Sequence, residues 1–327
     1  MRIRTSHLLA LAVLVMVVAL LAAGGAPKPV PAGLSGAGTA VSWAVPVLRL
    51  LGDAAAIATG GAVLAAVVLL PATNGELGEQ GLRACQDAAF AAGMWAVASI
   101  GGLIVTAAVI LGIPLSELTA RAADAGSLNQ VRALAVAVVF TAVLAVVLSG
   151  CRTVATARVA LVLAAAALTA PLLTGHGAIE RTAFWSVLAT ASLVIHVFAA
   201  TTWIGGLGSL LRYARGEIGA VERFSRLALI CAVSIGVTGL LTAEIHLGGR
   251  DDGWGLITQW VTTGYGALVF AKAAAFAVLV SIGWWHRRAT LPALAADRPA
   301  AFWRLAAVEL GLMAATVGLA VALSRTP

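Results

Sequence analysis

Imidazole is the side chain in this sequence best able to hold a transition-metal ion, and three of the five histidines stand where that ability matters. His196 lies within LVIHVFAATTWIGGL, Leu193 to Leu207, about fourteen residues from either end of an apolar run. His176, in LLTGHGAIE, is flanked by glycines that free the backbone to carry the ring towards a partner. His246, in LLTAEIHLGG, closes another apolar run, and Ser234, Thr238 and Thr242 precede it at spacings of four. On a helix that spacing makes one polar stripe. His176 and His246 are expected at the same end of their helices, where two imidazoles and a carboxylate could load a metal cation. The remaining two, His7 and His286, fall at helix ends on the opposite side and require no special role.

The other ionisable groups inside apolar runs each raise a functional question, because charge at membrane depth is costly. Arg49 and Asp53 are four residues apart, share a helix face and can neutralise one another as a structural ion pair. Lys272 is about eight residues into its run, ~12 Å at the helical rise, and calls for an acidic partner. By depth, Glu244 is the nearest candidate. Glu309 stands about seven residues into the last run, with Met313 and Thr316 following on the same face. A carboxylate over a thioether can serve as a stepping point for a soft or borderline cation. The alternative pairs Glu309 with a loop arginine and leaves Met313 as core filling.

For His196 three roles are open: a ring satisfied by a hydroxyl or carbonyl, a metal ligand, or a haem ligand. Ser192 precedes it by one turn, and Ala199, Ala200 and Trp203 follow on the same side. Small residues there would let a neighbouring helix close around the ring.

The elements that must position these groups are membrane-spanning helices. The chain is 61% hydrophobic and 11% charged over 327 residues, with mean hydropathy +1.00. A soluble protein of this length carries far more charge. Apolar runs of about 20 residues recur, each long enough for a hydrocarbon core of about 30 Å. The expected architecture is an all-α polytopic bundle with spans near 41–70, 87–112, 131–150, 154–173, 182–209, 224–247, 264–286 and 302–323. Residues 1–25 form a signal-anchor-like first helix, which makes about nine spans, or eight if it is cleaved. Residues 41–173 group as N-terminal transmembrane helices and 182–327 as a second transmembrane domain. The segment from Ile113 to Gln130 is a polar, partly helical loop.

Charge placement sets the expected orientation. Arg83, Arg152, Arg158, Arg212, Arg215, Arg223, Arg226, Arg287, Arg288, Arg298 and Arg304 fall in alternate loops. The other loops hold only Lys28, Arg121, Arg181, Arg250 and Arg325. The positive-inside rule then puts the N-terminus in the cytoplasm. The net charge of +7 is read as basic loops rather than nucleic-acid binding. The three cysteines are scattered and form no CxxC, so no disulfide framework is indicated, and Cys231 reads as packing. No GxxxxGK[ST], HExxH or Ser-His-acid constellation is present, so neither ATP drive nor enzymatic catalysis is expected.

Several segments taken in order resemble one family. These are HVFAATTWIGGL, ERFSRLALICAVSIGVTGLL, TTGYGALVFAKAAAF, the basic WWHRR and LAAVELGLMAATVGLAVALSRTP. Together, over roughly 185 to 327, they resemble the copper resistance protein D (CopD) family of bacterial inner-membrane proteins. LRLLGDAAAIATGGAVLAAVVLLP and LLTGHGA resemble its actinobacterial members. Many of those continue into a domain resembling a cytochrome oxidase assembly factor, and this chain is read as the type without it. The resemblance implies copper movement across the cytoplasmic membrane or copper supply to cuproproteins, with a periplasmic copper-binding partner of the CopC type. It favours His196, with Trp203, Gly205 and Gly206 packed around it, and points to His176, Lys272 and Glu309. The spans hold few methionines and no Met-rich loop, so a dense thioether pathway is not expected.

The leading expectation is a copper transporter or conduit that takes copper at His176 and His246, passes it by His196 and releases it near Glu309 and Met313. A haem-binding electron carrier would need a second histidine at the depth of His196. A scaffold that docks a copper chaperone without transport would use the loop Gly248 to Gly264, with two acidic residues and two tryptophans.

Overall fold

The computed structural model describes residues 5–29, 36–173, 183–215, 217–247, 262–290 and 300–326, with the side chains of residues 183, 244–247 and 290 outside that description. Among the described residues the chain is a bundle of long apolar helices: α1 (Thr5–Ala22), α2 (Thr39–Leu64), α3 (Glu79–Leu111), the short α4 (Ala122–Ser127), α5 (Asn129–Ser149), α6 (Val154–Leu172), α7 (Ala183–Tyr213), α8 (Ile218–Leu247), α9 (Gly264–Trp285) and α10 (Ala300–Leu323). Nine of them, all but α4, are long and apolar enough to cross a membrane. Without water in the hydrocarbon layer a backbone must satisfy its own polar groups, which makes helix the outcome for such runs. Large apolar side chains such as Phe90, Val146 and Leu240 face outwards, as a lipid-facing surface requires. The protein is a multi-pass membrane protein.

The expected spans are recovered with longer ends. α3 starts at Glu79 and α8 at Ile218, several residues before the apolar runs begin. Helix-forming residues such as those of EQGLRACQDAAF continue a helix past the lipid boundary, so hydropathy alone places the start too late. The Ile113–Gln130 loop holds a 3-10 turn at Leu115–Glu117 and α4.

Helices meet where they carry small residues, which lets backbones approach closely in lipid. A Cβ built on Gly61 of α2 would collide with the backbone of Gly205 on α7. One on Gly318 of α10 would collide with the Ala12 carbonyl of α1. These crossings join both halves of the chain into one core: Ala62 and Val63 of α2, Ala88 of α3, Leu144 of α5, Ala160 of α6, Leu207 of α7 and Met313 of α10 all belong to it. α1 is part of the packing too, with Met16 and Leu20 buried against Val321 and Ala322 of α10.

The arginines collect at the end where α2 finishes and α3 begins. Arg223 donates to the Leu69 carbonyl at 2.6 Å, where a π-helical turn (Ala65–Leu69) ends α2. Asp87 of α3 accepts from Arg212 Nε at 2.9 Å and from the Tyr213 hydroxyl at 2.6 Å. A two-stranded hairpin, β1 (Ala72–Thr73) and β2 (Glu76–Leu77), caps this end. Its Asn74-Gly75 turn has φ of 52° and 82°, the left-handed pair that a type I′ turn needs. The hairpin is fastened to the α5–α6 connection by Leu77 N–H to the Arg152 carbonyl and Val154 N–H to the Gly75 carbonyl, both 3.0 Å.

Candidate functional site

His196 sits in mid-α7 against α8, and the two helices meet through the polar positions that the sequence placed on matching faces. Its Nδ1 is 3.0 Å from Thr238 Oγ1. A hydroxyl has one proton to give, and that of Thr238 goes to the Ser234 carbonyl at 2.6 Å. The Thr238 oxygen therefore accepts from His196, and the network assigns the ring proton to Nδ1. The neutral ring then carries its lone pair on Nε2, the nitrogen that can coordinate a cation. One turn earlier Ser192 Oγ donates to the Thr238 carbonyl at 3.2 Å and lies 3.4 Å from Thr242 Oγ1. A Cβ on Gly239 would stand 3.7 Å from His196 Cε1, so the ring lies flush against α8.

Lys272 of α9 is within electrostatic reach of His196. An ammonium there opposes a second cation at the imidazole. The Lys272–Glu244 pairing lies outside the described residues, because the Glu244 side chain is not described.

Two turns further along α7, the Trp203, Gly205 and Gly206 cluster holds the helix in register. Trp203 is buried and meets Phe276 of α9 edge-on, 6.5 Å between ring centroids at 88°. A Cβ on Gly205 would come to 2.5 Å from the Ile57 carbonyl oxygen of α2, and one on Gly206 to 2.7 Å from the Phe224 ring of α8. No other residue type fits at Gly205 without separating α2 from α7.

Glu309 is buried on α10 with Met313 buried one turn on. Its partner is His286: carboxylate Oε2 and imidazole Nε2 are 3.4 Å apart. His286 starts the π-helical turn (His286–Thr290) that ends α9, and it is itself buried, with its ring 4.8 Å from that of Phe302. The expectation that His286 needs no special role is thus corrected, and among the described residues Glu309 pairs with His286 and with no arginine. The nearby arginines are engaged elsewhere: Arg287 donates to the Ser225 carbonyl at 2.6 Å, and Arg215 stacks over Trp303 at 5.9 Å. The Thr316 hydroxyl turns to the Met313 carbonyl at 2.7 Å rather than to Glu309.

The remaining candidates are spread out. Arg49 and Asp53 make an ion pair of 3.1 Å within α2, partly exposed. His176 lies outside the described residues, as does the 248–261 part of the expected docking loop. His246 is in the last turn of α8, with its side chain not described. Among the described residues no group of three or more His, Cys, Asp or Glu is placed to hold a metal ion. One pair of possible ligands escaped the sequence reading: Cys85 and Cys151, 66 residues apart, have Sγ atoms 3.2 Å from each other, both buried. Cys231 is buried as packing.

Residues 218–323 match the family model CopD, copper resistance protein D. That segment is similar to copper resistance protein D. It begins at α8 and ends with α10, so it contains Thr238, Lys272, His286, Glu309 and Met313. His196, Trp203, Gly205 and Gly206 stand on the helix just before it, whereas the resemblance in sequence runs from about 185. The segment that matches CopD thus supplies the hydroxyl that orients His196, and α7 supplies the imidazole. No curated protein and no solved structure matches the chain.

Proposed function

We propose that the protein moves copper ions across the bacterial cytoplasmic membrane, with His196 as the relay ligand between α7 and the segment that matches CopD. The observation that carries this reading is the hydrogen-bonded chain His196 Nδ1–Thr238 Oγ1–Ser234 carbonyl, which leaves Nε2 as the coordinating nitrogen. Holding one ring nitrogen through its proton while the other binds metal is how proteins orient imidazole ligands. Imidazole accepts copper in both oxidation states, which suits a site that binds and releases. The CopD match supports copper as the ion.

In this reading the arginine-rich end faces the cytoplasm, and His176 and His246 take copper from a CopC-like donor on the other side. Glu309, His286 and Met313 form the release site, a carboxylate, an imidazole and a thioether within one turn of α10 and the end of α9. Lys272 acts as a charge gate: its ammonium repels a resident ion at His196 and favours passage over retention. No bond of the cargo is made or broken apart from coordination, so the role is transport rather than catalysis.

The reading is tested in cells. His196→Ala should abolish copper-dependent accumulation at equal membrane insertion. Unchanged accumulation in that variant would overturn the relay role.

A further inference from the structure

Cys85 and Cys151 form a buried dithiol that the transport reading does not use. Cys85 lies on the second turn of α3, and Cys151 lies in the connection between α5 and α6. Their sulfurs approach to 3.2 Å, and Cys151 Sγ is also 3.8 Å from the Thr153 carbonyl. Cys151 stands two residues before Thr153, the side-chain N-cap of α6. The β1–β2 hairpin lies next to both: Leu77 bonds to Arg152, and Glu76 bridges to Thr153.

We propose that Cys85 and Cys151 are a two-coordinate thiolate site for a soft monovalent cation, with Cu(I) as the probe. Soft thiolates select soft cations over hard ones. A linear two-thiolate complex spaces its sulfurs by about 4.6 Å, twice a metal–sulfur bond of about 2.3 Å. The pair opens by roughly 1.4 Å to take the ion, which a rotation about a Cα–Cβ bond supplies. Binding releases both thiol protons and leaves a complex of net charge −1 beside the first turn of α6. The proposed orientation puts this end in the reducing compartment, where a dithiol persists and a disulfide does not. The site lies at the arginine-rich end, the side on which the transport reading releases copper. It rests on that reading only for its compartment.

The test uses the purified full-length chain in detergent without oxygen, with Cu(I) delivered from a chromophoric Cu(I) chelator in competition. Loaded with less than one equivalent, the wild type and Cys231→Ser should each take up Cu(I) whose X-ray absorption shows sulfur-only, two-coordinate ligation. Cys85→Ser and Cys151→Ser should each lose at least tenfold in that affinity. A second measurement needs no variant: in the wild type, Cu(I) should protect Cys85 and Cys151, but not Cys231, from alkylation in mild denaturant, read by peptide mass spectrometry. Sulfur-free ligation, equal affinity in the serine variants, unprotected alkylation, or a Cys85–Cys151 disulfide in freshly isolated protein would each overturn the proposal. Copper flux that fails while this binding persists would count against the transport reading alone.

Discussion

The proton on His196 decides what that residue can do. With Nδ1–H given to Thr238 and the Thr238 hydroxyl given to Ser234, the lone pair on Nε2 is fixed in direction. Thr238→Val keeps the shape and removes the acceptor, so the ring loses its orienting bond. Copper affinity at His196 should then fall about 10–100-fold, the usual effect of losing an outer-shell partner. Isothermal titration of the purified variant checks this, and unaltered affinity would show that the hydroxyl only fills space. Both ends of the hydrogen bond were legible in sequence, His196 as an imidazole inside an apolar run and Thr238 as part of a stripe of hydroxyls. That they face each other was not, because sequence periodicity sets the face of a helix and not its neighbour. The same gap hid two other contacts. His286 and Glu309 belong to different helices, and Cys85 lies on α3 while Cys151 lies in the α5–α6 connection.

At the scale of helices, glycine sets how closely α7 approaches its neighbours and so the height at which His196 meets α8. Gly205 faces the Ile57 carbonyl and the Gly61 backbone, whereas nothing lies within 4 Å of a Cβ on Gly208, three residues on. Gly205→Val should therefore destabilise the bundle by about 3 kcal/mol, at the upper end of core overpacking, and Gly208→Ala should be neutral or slightly stabilising. Unfolding midpoints in detergent distinguish the two, and equal midpoints would mean that the crossing is not tight. The helices themselves were readable from apolar runs, since in lipid little else can form. Their ends were not: the polar first turns of α3 and α8 follow helix propensity and capping at the membrane edge, which hydropathy does not measure. The Gly205-Gly206 pair was visible in sequence as packing, but its partners Gly61, Ile57 and Phe224 come from distant segments.

For the molecule as a whole, copper passage needs one orientation and one direction. The arginines that unite the ends of α2, α3, α7 and α8 define a face that the positive-inside rule assigns to the cytoplasm. Asn74→Cys, at the tip of the exposed hairpin, should be labelled by a membrane-impermeant thiol reagent only after the cytoplasmic face is opened. Labelling of intact spheroplasts would invert the orientation. Class and spans followed from composition, because covering nine apolar helices with so little charge leaves the bilayer as the only solvent. The CopD match covers α8 to α10, so the imidazole at the centre of the account comes from outside the matched segment. That joint arrangement is the central claim, and copper flux measures it most directly. Proteoliposomes holding the wild-type chain and a luminal copper indicator should fill with copper faster than empty liposomes, and those holding His196→Ala at equal protein content should not exceed the empty rate. Equal flux through the wild type and His196→Ala, or no flux above empty liposomes in the wild type, would contradict it.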